Sequence, residues 1–378
     1  MEQHIETRQR YSLGALIFLT PALRLFPARA AALAGRAGWL TPLAALPLLL
    51  VYGRFLTELL ALRREGESLP GLISRAAGVP GLSLCTLWLL LYAAFVLRSG
   101  ADRFVGTIYP RAAPSVFSAV MGMLALAGAL SGFRTLARLG RMLLPFLAGV
   151  LLLLLLVALP GARLDNLWPL HPADLPGLAR GALVPVDLVA GAAAALCFVP
   201  RGKGEERGGQ RPLSLWMLGL CGLLTLLALT VTGRFGHELG AELARPFFVL
   251  VRTLRIFRSL ERFEALVVML WIFPDFLTAA LFLRSGAECL QALLGLGREG
   301  SAAERSGLRD GRLLIWAAAL AATGLALLLS PEAQALSRWS EVLIPAANLA
   351  FCFVLLPAVY LLARAKKRKE AEKNSGAA

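Results

Sequence analysis

What most constrains this chain is a series of long apolar runs, each roughly 18–22 residues, the length a helix needs to cross about 30 Å of hydrocarbon. Ten are legible: 11–29, 38–56, 82–101, 115–133, 142–159, 179–199, 214–233, 264–283, 313–330 and 341–363. Inside a bilayer every backbone N–H and C=O must find its partner within the protein, so isolated runs of this kind read as helices. The expected fold class is all-α integral membrane, with about ten transmembrane helices in a single membrane domain, 1–378. A soluble fold is excluded by the surface it would need. Only 17% of the 378 residues are charged, against about 25% in globular domains.

The formal net charge of +15 has a topological reading. With ten spans and both termini on one side, that side collects 24 of the 39 Lys and Arg residues. The positive-inside rule makes it the cytoplasmic side. Nucleic-acid binding is rejected, because it needs a basic face interleaved with aromatics on a soluble domain. The basic residues here sit mostly in gaps between apolar runs, and 364–378 reads as a basic cytoplasmic tail. The start, Met1-Glu2-Gln3-His4-Ile5-Glu6, is acidic and polar, unlike a signal peptide. The five cysteines are scattered without CxxC or Cys/His spacing, which gives no disulfide framework and no metal site. Residues 200–212 lack the order and preceding strand of a phosphate loop. No Ser/His/Asp or paired-carboxylate constellation can be assembled, so neither a catalytic site nor a cofactor is implied and the chain does not read as an enzyme.

Two segments between spans have structure of their own. Residues 63–81 read as a short amphipathic helix with turns. In 244–263, Arg252, Arg255, Arg258 and Arg262 recur at helical spacing opposite apolar residues, the pattern of a helix lying at the membrane surface. Gly128xxxGly132 and 190–195 (AGAAAA) are small-residue runs suited to close helix packing.

Two spans carry a proline with polar neighbours near mid-membrane: Thr20-Pro21 in the first, Pro185-Val186-Asp187 in the sixth. Proline removes one helical hydrogen bond, and the freed carbonyl is tolerable only beside protein or a cavity. The second break follows the first by five spans. Interruptions at matching positions of two inverted halves mark the binding site of secondary transporters. The expectation is a leucine-transporter-like arrangement of two inverted five-helix repeats, 11–159 and 179–363, with helices 1 and 6 broken. Ordinary transmembrane prolines are the competing reading, since Pro145, Pro274, Pro345 and Pro357 also fall in spans.

Arg24, Asp187 and Asp275 place charge inside spans, at a cost of about 2.5–3.5 kcal/mol each at the bilayer centre. Arg24 and Asp187 neutralise one another if spans 1 and 6 are neighbours; otherwise Arg24 snorkels outward. Asp275 follows Pro274 in span 8 and reads either as a proton-titrating carboxylate or as a hydrogen-bonded group without a coupling role. The ligand-binding candidates are Thr20, Pro21, Tyr92, Pro185, Asp187 and Asp275. For Tyr92, packing is the competing reading.

Several stretches, in register along roughly 10–365, resemble the spore-germination permease family. This is the membrane-spanning B subunit of nutrient-germinant receptors, grouped with amino-acid–polyamine–organocation transporters. Residues 246–271 carry Pro246, an amphipathic stretch, the pair Arg262 and Glu264, and Trp271. Asn166-Leu167-Trp168-Pro169 resembles the family's Asn-Leu-x-Pro motif, and Gly132 to Arg138 its Gly-x-x-x-x-(Ala/Gly)-Arg segment. Phe198-Val199-Pro200 and Gly38-Trp39 match the residues closing span 6 and opening span 2. Two departures are that the family usually has glycine where this chain has Thr20-Pro21, and often a basic residue near Asp275. The resemblance implies a receptor subunit binding a small nutrient, an amino acid first, between spans 1, 3, 6 and 8. Its partners would be a larger membrane subunit and a lipoprotein in the spore inner membrane. An autonomous amino-acid/proton transporter shares that fold and is the alternative.

Overall fold

The computed structural model describes residues 5–64, 67–107, 111–200, 211–254, 263–295, 303–328, 336 and 338–375. Nine helical stretches among them are long and apolar enough to cross a membrane. The first, Thr7–Ala61, is two helices, α1 (Thr7–Ala34) and α2 (Thr41–Ala61), joined by a 3-10 turn at Gly35–Leu40. The ten expected spans are thereby accounted for. The others are α3 (Leu69–Thr107), α4 (Pro114–Ser131), α5 (Phe133–Ala158), α6 with α7 (Leu175–Gly181, Leu183–Leu196), α8 (Arg211–Phe235), α11 (Phe263–Leu293) and α12 (Ala303–Leu328). Last comes a continuous helix that includes two π-helical stretches and the α-helices α13 (Ile344–Ala350) and α14 (Leu356–Ser375). Short helices α9 (His237–Glu242) and α10 (Pro246–Thr253) lie between α8 and α11.

The short helix expected in 63–81 is the start of α3. Its helical run passes through Gly78, whose φ of 64° and ψ of −150° set the first turns off from the span. Before it, Glu67 receives hydrogen bonds from the Arg75 guanidinium and the Arg64 N–H. Burial pushes the Glu67 carboxyl up, but Arg75 and Arg64 together hold it below the usual carboxylate range. The surface helix expected over 244–263 is shorter, α10, ending at Thr253; Arg255, Arg258 and Arg262 lie outside the described residues.

Between α6 and α7 the backbone keeps helical φ and ψ at Ala182 (−63°, −21°), its N–H bonds the Leu178 carbonyl, and Pro185 in the first turn of α7 withdraws only the hydrogen bond to the Gly181 carbonyl. Span 1 departs from expectation: α1 continues helical through Pro21 and Pro27. The prolines withdraw hydrogen bonds from the carbonyls of Ile17 and Leu23 but do not unwind the chain. No free helix N-terminus therefore opens in span 1.

Small residues set the helix spacing. Ala190 and Ala192 to Ala195 are all buried. A Cβ on Gly177 would lie 2.7 Å from the Leu33 carbonyl, so α6 rests directly on the end of α1. Of the Gly128–Gly132 pair only Gly128 serves packing, against Phe276 and Ala280 of α11; Gly132, at φ 88°, is the turn between α4 and α5.

Candidate ligand-binding site

A small cavity lies where α1, α3, α7, α11 and α13 meet. From α1 it is lined by Ile17, Phe18 and Pro21, and from α3 by Trp88 and Tyr92. α7 contributes Leu188, Gly191 and Ala192; Phe282 and Asn348 complete the wall. The part open to the centre of a water-sized sphere is about 10 Å³, roughly what one water needs. Stacked aromatics close it. Trp88 lies on Phe351 with centroids 3.8 Å apart and planes 3° from parallel, and Tyr92 lies on Phe282 at 4.7 Å. Trp88 Nε1 donates to Asn348 Oδ1 at 2.9 Å, which fixes the amide. Tyr92 is thus a wall residue as well as a packing one.

Ionic groups flank this space. Asp275 on α11 is ion-paired with Arg103 on α3, both side chains only 4% exposed. Gly100 leaves room for the pair, since a Cβ there would stand 3.0 Å from Asp275 Oδ2. Beside them, Thr20 Oγ1 donates to the Trp271 carbonyl at 3.3 Å. Arg24 lies over the Phe95 ring at 5.0 Å, and the charges acting on it are those of Arg103, Asp275 and Arg245. Asp187, 6% exposed, is hydrogen-bonded to Asn348, and the charge acting on it is Arg29. The expected Arg24–Asp187 ion pair is absent among the described residues, because α1 turns Arg24 toward α3 and α11 rather than toward α7.

The sequence candidates thus separate. Pro21 and Tyr92 line the cavity, Asp187 adjoins it through Asn348, and Thr20 and Asp275 form a second polar group with Arg103. Pro185 is buried on α7 without lining the cavity. Three residues went unrecognised: Arg103, Asn348 and Trp88. Arg103 fell just beyond the expected end of span 3, which runs on to Thr107. Asn348, a lone amide in an apolar run, was the available signal for its site.

The family-motif residues build the frame. Trp271 meets Thr20 as above, and its ring packs on Phe248, two residues after the buried Pro246. Asn166 Nδ2 donates to the Gly233 carbonyl at 2.9 Å, pinning the segment before span 6 to the end of α8. Pro169 and Arg138 are exposed. Of Glu264 only the helical backbone is described.

A helical bundle closed around a small central cavity fits a membrane-transporter class of fold, and known structures agree in fold. The chain is similar to Mhp1, a nucleobase-cation-symport-1 family transporter solved in a closed conformation with bromovinylhydantoin bound. The TM-score is 0.57 and the identity 13%, covering 92% of this chain and 77% of that one. It is similar also to a Na⁺-coupled sialic acid symporter in a substrate-bound outward-open state (0.56, 11%, 91% and 79%). A third is MhsT in complex with L-phenylalanine (0.51, 15%, 96% and 99%). At such identities the likeness is one of fold, the leucine-transporter fold expected from the span order. No curated protein sequence matches the chain. Residues 4–301 match the spore permease family of spore germination proteins, and the chain belongs to that family. Its family and fold are those of multi-pass membrane permeases, not of enzymes.

Proposed function

We propose that this chain is the membrane-spanning subunit of a spore nutrient-germinant receptor, and that it binds a small nutrient, an amino acid first among candidates, in the cavity between α1, α3, α7, α11 and α13. The observation that carries the reading is the cavity itself, walled by aromatics at the proline level of span 1, with a buried carboxylate and an amide beside it. A space of this size holds no amino acid, so binding requires the wall to open. The ligand then favours the open arrangement by its differential affinity for the two. Partner subunits, by family a larger membrane protein and a lipoprotein, would read that shift in the spore inner membrane, with both termini in the cytoplasm.

The test is thermal stabilisation of the purified chain by amino acids, sugars and nucleosides, with Asp187→Asn alongside. A true ligand at a hundred times its dissociation constant should stabilise by about 2.7 kcal/mol, and the variant should lose most of that. Stabilisation retained in full by Asp187→Asn would move the site away from this cavity.

The fold shared with symporters favours a second reading, an autonomous amino-acid/proton transporter. Reconstitution in liposomes separates the two. A receptor subunit moves no ligand by itself, whereas a transporter accumulates it under a proton gradient.

A further inference from the structure

A second space lies on the outside of the bundle, between α1, α5 and α8. α5 and α8 both pack along α1 and meet each other only sparsely, so a lengthwise slot stays open between them. Its volume is about 350 Å³, against about 10 Å³ for the central cavity. Ala15 and Leu19 of α1 form the floor. The walls run over 144–152 of α5 and 219–226 of α8, about 10–12 Å along each helix. Every lining residue is Ala, Gly or Leu. Gly219 and Gly222 are exposed, and a Cβ on either would meet nothing within 4 Å, so the chain itself does not fill the slot there. The same α1 walls the central cavity through Ile17, Phe18 and Pro21.

Arginines gather beyond one end of the slot. Residues seven apart share a helix face, so Arg8 lies on the stripe of Ala15, Arg134 and Arg141 on that of Ala148, and Arg138 on that of Leu152. Arg8, Arg134 and Arg138 are exposed, and Arg141, which gives one nitrogen to Glu6, is half-exposed. Over 5–19 and 132–152, five arginines, these four and Arg10, stand against one carboxylate, Glu6. At the same end Trp216, on the stripe of Leu223, donates from Nε1 to the Tyr11 carbonyl at 3.0 Å, the amphipathic aromatic pairing found where hydrocarbon gives way to headgroups. At about 350 Å³ over about 11 Å of helix the slot averages about 6 Å across, wide enough for a hydrocarbon chain and too narrow for a partner's helix of about 10 Å. A purely apolar slot ending in concentrated positive charge is complementary to one bilayer component, a glycerophospholipid with an anionic headgroup. We infer that the slot is a binding site for such a lipid: one acyl chain lies on α1 between α5 and α8, and the phosphate meets Arg8, Arg138 and Arg141.

The experiment is photo-cross-linking of the purified full chain in lipid bilayers, with the labelled peptides mapped by mass spectrometry. Phosphatidylglycerol carrying a mid-chain diazirine should label 144–152 and 219–226 of the native chain. Unlabelled phosphatidylglycerol should suppress that labelling at least tenfold better than phosphatidylcholine. Labels spread evenly over all spans would overturn the inference, as would equal competition by the two lipids. Gly219→Leu with Gly222→Leu fills the slot and should cut labelling at least tenfold. Arg8→Gln, Arg138→Gln and Arg141→Gln together should preserve labelling but bring the two competitors within threefold of each other. Full labelling in the glycine variant, or an unchanged lipid preference in the arginine variant, would refute the site. So would a partner subunit's helix that cross-links to Gly222→Cys and is not displaced by phosphatidylglycerol. The native-chain competition decides by itself if either variant does not fold.

Discussion

Asp275 shows how much one side chain depends on its neighbours in space. In the sequence it is a solitary carboxylate after a proline; in the fold it is bound by Arg103 from another span. Removing one partner of a buried pair leaves the other charge stranded, at a cost of about 3–5 kcal/mol, whereas replacing both with apolar groups is often neutral. Asp275→Leu and Arg103→Leu should therefore each lower the unfolding midpoint in detergent strongly, and the double variant should recover most of the loss. Strictly additive losses would mean that the two side chains do not act as a pair. The same logic applies to Asn348. Its amide is fixed by Trp88, so its value to the site lies in orientation as much as in its hydrogen bonds.

At the scale of elements, prolines and glycines decide where helices divide and how closely they pack. Pro21 removes a donor yet leaves α1 whole, because neighbouring helices hold it on all sides; α1 packs against α5, α6, α7, α8 and α11. Pro185 likewise withdraws one bond, from the Gly181 carbonyl, while Ala182 between α6 and α7 keeps helical φ and ψ. The seat of α6 on α1 depends on Gly177, whose absent Cβ would otherwise meet the Leu33 backbone at 2.7 Å. A backbone atom cannot swing away as a side chain can. Gly177→Ala should cost about 1–3 kcal/mol, read as a lower unfolding midpoint; an unchanged midpoint would mean that α6 shifts without penalty.

For the whole molecule, the polar ends fall on two faces. On one, Glu6 is paired with Arg141, Arg63 donates to the Cys197 carbonyl, Arg64 meets Glu370 at 3.2 Å, and Lys366 donates to the Arg75 carbonyl. On the other, the Arg163 N–H and Asn166 bond to the Gly233 carbonyl, and Arg245 faces Asp102 at 3.8 Å. The first face holds both described ends of the chain and basic residues of the gaps at 54–75 and 134–141. With that face cytoplasmic, a cysteine at exposed Lys369 should react with an impermeant maleimide only after permeabilisation, and one at exposed Arg163 in intact cells. All five native cysteines are buried, so background labelling should be low. Both sites reacting from the same side would break the even-span topology.

Membrane residence, the spans and the pairing of span 1 with span 6 were legible in the sequence, because hydrocarbon imposes helix length and backbone satisfaction locally. Each apolar run had to be a helix whatever its neighbours. The partners of the buried charges were not legible. Arg24 and Asp187 are conspicuous in a one-dimensional reading and were expected to meet, yet helix rotation and the close approach at Gly100 gave Asp275 to Arg103, put Arg24 over Phe95 and left Asp187 to Asn348. Side-chain direction around a helix axis is fixed only by what packs on every face at once, and that is a property of the bundle, not of any one segment.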